Sequence, residues 1–156
     1  MKKLSWKLVL PLTILSLTIF TKWWYVLPVD APDSMMYGFP IPYACNGWHT
    51  SLSFQIFIFE FIADFLIHFA FWFIVTALIN RFAFKIKLYK IVAIFLICIS
   101  GLFASGLIFI ASNSTNVYKI KRPFDTEILK TGYRSFWNGN SRPENFNFDE
   151  YKRNKK

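Results

Sequence analysis

The feature that most constrains this chain is the length of its apolar segments, of which there are three. They cover residues 6–27, 52–79 and 88–110, and each reaches the about 20 residues that a helix needs to cross a bilayer. Lipid offers no partner to open backbone groups, and three segments are too few to close a barrel, so each segment is predicted to be helical. The sequence therefore predicts an all-α integral membrane protein with three transmembrane helices.

The rest of the chain divides it into a membrane region and a tail. Residues 1–112 form the predicted three-span region, in which the proline-rich residues 28–50 make an outer loop folded onto the membrane face. A re-entrant or ligand-gripping loop is the alternative. Residues 113–156 form a polar, basic extramembrane tail. In the tail, Asp125 is predicted to begin a short amphipathic helix that ends near Phe136 and lies on the membrane, and a segment that orders only on a partner is the alternative.

The distribution of basic residues predicts how the chain lies in the membrane. The formal net charge is +9, and the basic residues flank the apolar segments, which favours anionic lipid headgroups over nucleic acid as their partner. The N-terminal lysines and the basic residues 81–90 are predicted to be cytoplasmic, whereas residues 28–50 contain no Lys or Arg and are predicted to lie outside. We therefore expect a protein of a bacterial inner (cytoplasmic) membrane, with its N-terminus inside and its C-terminus outside.

The first apolar segment also has features of an export signal, because MKK precedes it and Ala31 offers a small residue for cleavage. Pro32 disfavours cleavage there. Trp23, Trp24 and Tyr25 are typical of an aromatic belt at a membrane surface. We therefore expect an uncleaved anchor.

Three ionisable side chains interrupt the second apolar segment at intervals of four residues. Glu60, Asp64 and His68 lie on one face of the predicted helix, since four residues rise about 6 Å and turn about 40° past a full turn. An ionised group that faces lipid at mid-membrane costs about 2.5–3.5 kcal/mol, so this polar stripe must face protein or water. We interpret it first as hydrogen-bonding glue between helices. The alternatives are a proton or ion pathway and a metal site to which His49 contributes.

Lys22, in the first apolar segment, is a candidate partner for Glu60. Measured from the outer ends of their predicted helices, both residues lie about 7–9 Å deep. An ion pair between them would leave Asp64 to be bonded by His68 or by a partner subunit. The alternative is that Lys22 extends to the outer surface and hydroxyl groups hold Glu60.

The third apolar segment carries a surface of small residues. Ser100, Gly101, Ala104 and Ser105 form two small-xxx-small pairs, which let a neighbouring helix approach closely. This helix-packing face is expected to meet the second segment or another subunit.

The two cysteines, Cys45 and Cys98, are predicted to be free thiols, because one lies in the outer loop and the other inside an apolar segment. Cys45 is expected to react with a reagent that does not cross membranes.

These features predict a small integral membrane accessory or structural subunit, or an interaction protein, without catalysis of its own. Three helices bury little surface internally, so the expected partners are the lipid bilayer and either other membrane subunits or further copies of the chain. The alternative is a proton- or ion-handling component that uses Glu60, Asp64 and His68. A second alternative is a small membrane metalloenzyme. The sequence identifies no cofactor, and a nucleic-acid partner is not expected.

Overall fold

Helices and strands share the chain in the computed structural model, which describes residues 4–28, 33–47, 53–83, 85–86 and 89–134. Helix α1 (Leu10–Ile19) follows a π-helical segment (Ser5–Val9), helix α2 (Ile58–Leu78) continues into a second one (Ile79–Ala83), and helix α3 is Lys90–Ala111. The strands are β1 (Thr21–Pro28), β2 (Ser34–Tyr37), β3 (Ala44–Asn46), β4 (Phe54–Phe57), β5 (Val117–Lys119) and β6 (Thr126–Arg134).

The prediction of an all-α membrane protein with three spanning helices is wrong, because the chain also forms a six-stranded mixed sheet. The strand order is β5-β4-β3-β2-β1-β6. Neighbouring strands are antiparallel except for the parallel pair β4 and β5. Among the described residues, two helical stretches, Ile58–Ala83 and Lys90–Ala111, are long and apolar enough to cross a bilayer.

The first apolar segment is divided between a helix and a strand. Helix α1 ends at Ile19, and Phe20 leaves helical geometry with φ −92° and ψ 78°. The next residues include Trp23, Trp24 and Tyr25, whose aromatic side chains favour strands. They lie in β1, which pairs with β2 on one side and β6 on the other. The helix that remains is shorter than the about 20 residues of a full span.

Strands also replace much of the predicted outer loop and the amphipathic helix of the tail. Strands β2 and β3 arise from residues 34–37 and 44–46, and β6 occupies most of the stretch from Asp125 to Phe136 that was expected to be helical. Gly132 explains part of the difference, because it disfavours a helix and lies against the indole of Trp23 on the paired strand. A Cβ at this position would overlap the ring, so only glycine lets Trp23 pack across β6. Residues 135–156 lie outside the described part of the chain.

The sheet has its own hydrophobic core, to which four adjacent strands contribute. Its buried members are Val26, Met36, Cys45 and Phe57, and Trp24 and Phe124 pack against them. Cys45 is fully buried, so the expectation that a membrane-impermeant reagent reaches it is wrong. Cys45 and Cys98 are both free thiols, and Cys98 is exposed on α3.

All six strands lie at one end of the helices. Helix α1 leads into β1 after a single residue, β4 leads directly into α2, and α3 returns to β5 after a short turn. Helix α1 packs against both α2 and α3. The opposite end carries the basic connection between α2 and α3, to which Arg81, Lys85 and Lys90 belong. The strands of the predicted outer loop and those of the tail therefore lie on the same side of the helices.

Candidate functional site

Helix α2 is polar on its buried side and apolar on its exposed side. Its buried residues are Asp64, His68 and Thr76, which lie four and eight residues apart. The large apolar residues of the same helix are exposed, among them Leu66 and Phe71. Two members of the predicted polar stripe, Asp64 and His68, therefore face the interior of the protein.

Asp64 holds the loop between β2 and β3, whose residues 38–42 (GFPIP) are called the GFPIP loop below. The Asp64 side chain is 0% exposed. Its Oδ2 accepts the backbone N–H of Phe39 at 3.3 Å, and its Oδ1 accepts that of Ile41 at 3.2 Å. Asp64 lies about 9 Å along α2 from the start of the helix at Ile58. The loop therefore runs back beside α2 instead of crossing over its end.

His68, one turn further along α2, joins the same loop to α1. Its Nε2 lies 2.7 Å from the carbonyl oxygen of Phe39, and its Nδ1 lies 3.0 Å from Oγ of Ser16. A carbonyl can only accept, so Nε2 carries the hydrogen and donates it to Phe39. In the neutral ring Nδ1 is an acceptor, so the single hydrogen of the Ser16 hydroxyl is shared between Nδ1 and the carbonyl oxygen of Thr13, which also lies 3.0 Å from Oγ. The imidazole thereby links α1, α2 and the GFPIP loop.

The GFPIP loop is also fixed where it leaves β2. Gly38 has a φ of +140°, and a Cβ there would collide with the carbonyl oxygen of Ile41, so the position requires glycine. The N–H of Gly38 donates to the carbonyl of Lys22 at 3.1 Å, and its own carbonyl accepts from Nε1 of Trp24 at 2.9 Å. The Phe39–Pro40 peptide bond is cis.

The backbone donors of this loop are all satisfied within the protein. Prolines 40 and 42 carry no N–H. The remaining donors are those of Gly38, Phe39 and Ile41, which bond to Lys22 or Asp64, and the N–H of Tyr43 donates to the carbonyl of Tyr37 at 2.9 Å. Residues 38–43 therefore need no water for their amide groups, which suits a loop placed against an apolar helix.

The structure does not bring Lys22 and Glu60 together. Lys22 lies in β1, and its Nζ is 4.1 Å from the ring centroid of Trp24 and 5.9 Å from that of Tyr133. Glu60 instead accepts the backbone N–H of Arg122 with Oε1 at 3.1 Å. The similar depth assumed for the two residues required the first helix to continue through position 22, where the chain is a strand. Glu60 consequently holds the connection between β5 and β6, separately from the contacts of Asp64 and His68.

The four small residues of α3 belong to two surfaces. Ser100 is buried and Ala104 is partly buried, so this pair contributes to internal packing. Gly101 and Ser105 are exposed, and nothing described lies within 4 Å of a Cβ built on Gly101. The second pair therefore leaves a smooth strip on the outer surface of α3.

An apolar cavity of about 410 Å³ opens beside His68. The end of α1, the GFPIP loop and α2 form its walls, which include the rings of Phe20, Phe39 and Phe71. Since Ser16 and Phe39 already engage both nitrogens of His68, the cavity presents almost only carbon atoms.

Within the described residues, no three His, Cys, Asp or Glu side chains come together as a set of metal ligands. Asp64 and His68 bind the chain's own backbone, and Glu60 contacts a different segment. His49, considered as a further ligand, lies outside the described residues.

The sequence pointed to Asp64 and His68 but not to the groups that they bind. Ser16 is one of several hydroxyl residues in an apolar segment, so nothing singles it out. The partners at Phe39 and Ile41 are backbone amides, which residue identity does not reveal. The sequence signal that indicates this contact is the alternation of proline in the GFPIP loop. Because Pro40 and Pro42 carry no N–H, the amides of Phe39 and Ile41 remain as donors two residues apart. A single carboxylate can accept both.

Compared with models of protein families, with curated protein sequences and with solved structures, the chain matches none of them. Its function is therefore inferred from its own residues.

Proposed function

We propose that this chain is an integral membrane protein that α2 and α3 anchor in the bilayer. The inverted polarity of its helices is the observation that carries the proposal. Buried helical residues include Thr13, Asp64 and Ser100, whereas Phe71 is 57% exposed and Phe95 is 63% exposed. A helix in water buries its apolar face, and a helix in lipid exposes it.

The GFPIP loop supports the same proposal. Irregular backbone is tolerated at membrane depth only where protein groups satisfy its polar atoms. Asp64 and His68 supply those groups for Phe39 and Ile41. In a bilayer the loop is a short re-entrant segment, and the two polar side chains lie in the apolar helix in order to hold it.

We place the sheet on the non-cytoplasmic face of a bacterial inner membrane. The end of the helices opposite the sheet carries Arg81, Lys85 and Lys90, and basic connections stay in the cytoplasm. Lys119, Lys121 and Arg122 lie on the sheet side and oppose this orientation, but the N-terminal lysines and the basic connection together outnumber these three residues. The short helix α1 then enters from the cytoplasmic side and delivers β1 to the outer surface.

In this arrangement the protein acts by binding, as an accessory or interaction subunit that holds a sheet at the outer membrane surface. Asp64 and His68 are occupied by the chain's own backbone, so they support a structural role better than a proton pathway. The exposed strip at Gly101 and Ser105 is suited to a transmembrane helix of a partner subunit or a second copy.

The membrane part of the proposal is tested by extraction and by reporter fusions. The protein should stay in the membrane fraction at alkaline pH. A reporter active only outside the cytoplasm should be active when fused after Lys156 and inactive when fused after Arg81. Release at alkaline pH would contradict membrane integration, and the reverse reporter pattern would contradict the orientation.

The binding part is tested by placing bulk on the small-residue strip. The double variant G101L/S105L should lose a helix partner that the wild type retains in mild detergent, because Leu at both positions prevents close approach. Ile94→Leu, on the exposed surface of the same helix, should retain it. A wild-type chain that is monomeric in native lipid, together with proton flux into vesicles that Asp64→Asn abolishes, would favour the proton-handling alternative.

A further inference from the structure

A polar cavity of about 360 Å³ lies where α2 meets the connection between β5 and β6, and we call it the interface pocket. Its lining residues are Glu60, Lys121, Arg122, Pro123, Phe124 and Asp125. Glu60 is the third residue of α2, so the pocket lies at the end of the helix that adjoins the sheet. If α2 crosses the bilayer, this end is at the level of the lipid headgroups.

The interface pocket combines two cations with two anions. Lys121 and Arg122 supply positive charge, and Glu60 and Asp125 supply negative charge. The Oε1 atom of Glu60 accepts the N–H of Arg122 at 3.1 Å. Its Oε2 is shielded from water and has no hydrogen-bond partner among the described residues. A carboxylate oxygen without a donor is unfavourable, and a rotation of the Glu60 side chain that turns Oε2 into the pocket lets a ligand supply that donor.

Large apolar side chains flank the interface pocket. Phe59, beside Glu60, is 62% exposed, and Ile120, beside Lys121, is 81% exposed. The N–H of Phe59 donates to the carbonyl of Ile120 at 2.9 Å, which joins the two walls. A polar pocket bordered by exposed apolar residues has the form of a phospholipid site, with room for a headgroup and a surface for its chains.

We propose that the interface pocket binds the headgroup of an ethanolamine phospholipid. Lys121 and Arg122 take the phosphate, and the ammonium group donates hydrogen bonds to Oε2 of Glu60 and to Asp125. A choline headgroup carries no N–H and leaves Oε2 unsatisfied. A glycerol headgroup offers no cation to the two carboxylates. The inference rests on the proposed membrane location and names a lipid that the protein selects there.

The test is lipid retention by the full chain, measured by native mass spectrometry after purification into detergent with ethanolamine, choline and glycerol phospholipids of identical chains. The wild type should retain the ethanolamine lipid roughly tenfold better than the choline lipid, the preference that one charge-assisted hydrogen bond provides. Glu60→Gln should abolish that preference, and Lys121→Gln should weaken retention of all three lipids. Lys130→Gln, an exposed lysine outside the pocket, should change neither.

Equal retention of the ethanolamine and choline lipids by the wild type would overturn the proposal. So would competition by soluble phosphoethanolamine at the same concentration as the lipid, which would identify a free ligand instead. If Glu60→Gln does not fold, Asp125→Asn and Lys121→Gln, both at exposed positions, decide the outcome. Alkaline extraction of the wild type separates the two proposals, because a protein that fails to select a lipid still stays in the membrane if the anchor is correct.

Discussion

Replacing Asp64 with alanine should release the GFPIP loop from α2. The variant removes the acceptor of two backbone N–H groups, those of Phe39 and Ile41, which lie 3.3 Å and 3.2 Å from the two carboxylate oxygens. Because Asp64 is fully buried, water does not take the place of the carboxylate without opening the structure.

The size of the effect follows from the number of donors left unpaired. A buried donor without a partner costs about 1–3 kcal/mol, so Asp64→Ala should destabilise the closed loop by about 2–6 kcal/mol. Asp64→Asn keeps one acceptor oxygen and turns an NH₂ group toward the other amide, so it should have about half of this effect. The order of loop stability is therefore wild type, then Asn, then Ala.

Hydrogen–deuterium exchange of the chain in lipid nanodiscs measures the opening of the loop. If the opening free energy falls by about 2 kcal/mol, the amides of Phe39 and Ile41 should exchange roughly thirtyfold faster. The amide of Gly38 bonds to Lys22 and not to Asp64, so it should accelerate less. Lys130→Gln removes an exposed charge outside the interface pocket and serves as the control.

The reasoning fails if Asp64→Ala exchanges over residues 38–42 at the rate of the Lys130→Gln control. It also fails if Asp64→Asn is more disruptive than Asp64→Ala, because the number of lost acceptors would then not govern the effect. Uniformly faster exchange over the whole α2 helix in Asp64→Ala would show that the contact holds the helix as well, and Asp64→Asn would then give the loop's own contribution.

Three further predictions concern positions that the fold constrains. Gly38→Ala should destabilise the loop by about 1–3 kcal/mol through backbone strain, seen as faster exchange over residues 38–42, whereas Gly106→Ala, with open space at its Cβ, should be neutral or slightly stabilising. Gly132→Ala should displace the indole of Trp23 and alter the near-ultraviolet circular dichroism, and an unchanged spectrum would contradict that packing. Burial raises the pKa of the Cys45 thiol to about 11, so maleimide should label it at pH 8 only after denaturation, and rapid labelling of the folded chain would refute its burial.

The sequence located two of the three helical segments well because their apolar runs are long and uninterrupted. The predicted range 52–79 contains the helix Ile58–Leu78, and the predicted range 88–110 ends one residue before the helix Lys90–Ala111 does. A helix closes the backbone hydrogen bonds of a long segment within the segment itself, and this outweighs the weak intrinsic preferences of single residues. The many phenylalanines of α2 therefore did not prevent a helix.

The sheet was missed because strand pairing is not local. Strand β1 joins β2 about ten residues later and β6 about a hundred residues later in the chain, and a single sequence does not reveal either pairing. An apolar, aromatic stretch that follows a helix is equally compatible with a strand and with a continuation of that helix. At Trp23 the structure resolves the choice, because its ring packs over Gly132, a residue that weakens a helix and suits a crowded strand.

The polar stripe was predictable in position but only partly in role. Its spacing placed Asp64 and His68 on one face, and the cost of exposing them to lipid required protein partners. Helices were the expected partners, and Ser16 of α1 is one. Most of the hydrogen bonds of Asp64 and His68 are made to the GFPIP loop. The backbone amides of a helix are already paired within the helix, whereas those of a loop need partners from elsewhere in the protein.

The number of backbone N–H groups near each carboxylate explains why Glu60 and Asp64 differ in their hydrogen bonding, although both lie on one face of α2. Asp64 meets two N–H groups from a loop with prolines on both sides of Ile41, so both of its oxygens are used. Glu60 meets the single N–H of Arg122, and its second oxygen has no partner among the described residues. Asp64, whose two oxygens are both bonded, therefore has a structural role. Glu60, whose second oxygen has no partner in the described part of the chain and which lies beside Lys121 in the interface pocket, is where we expect a ligand to bind.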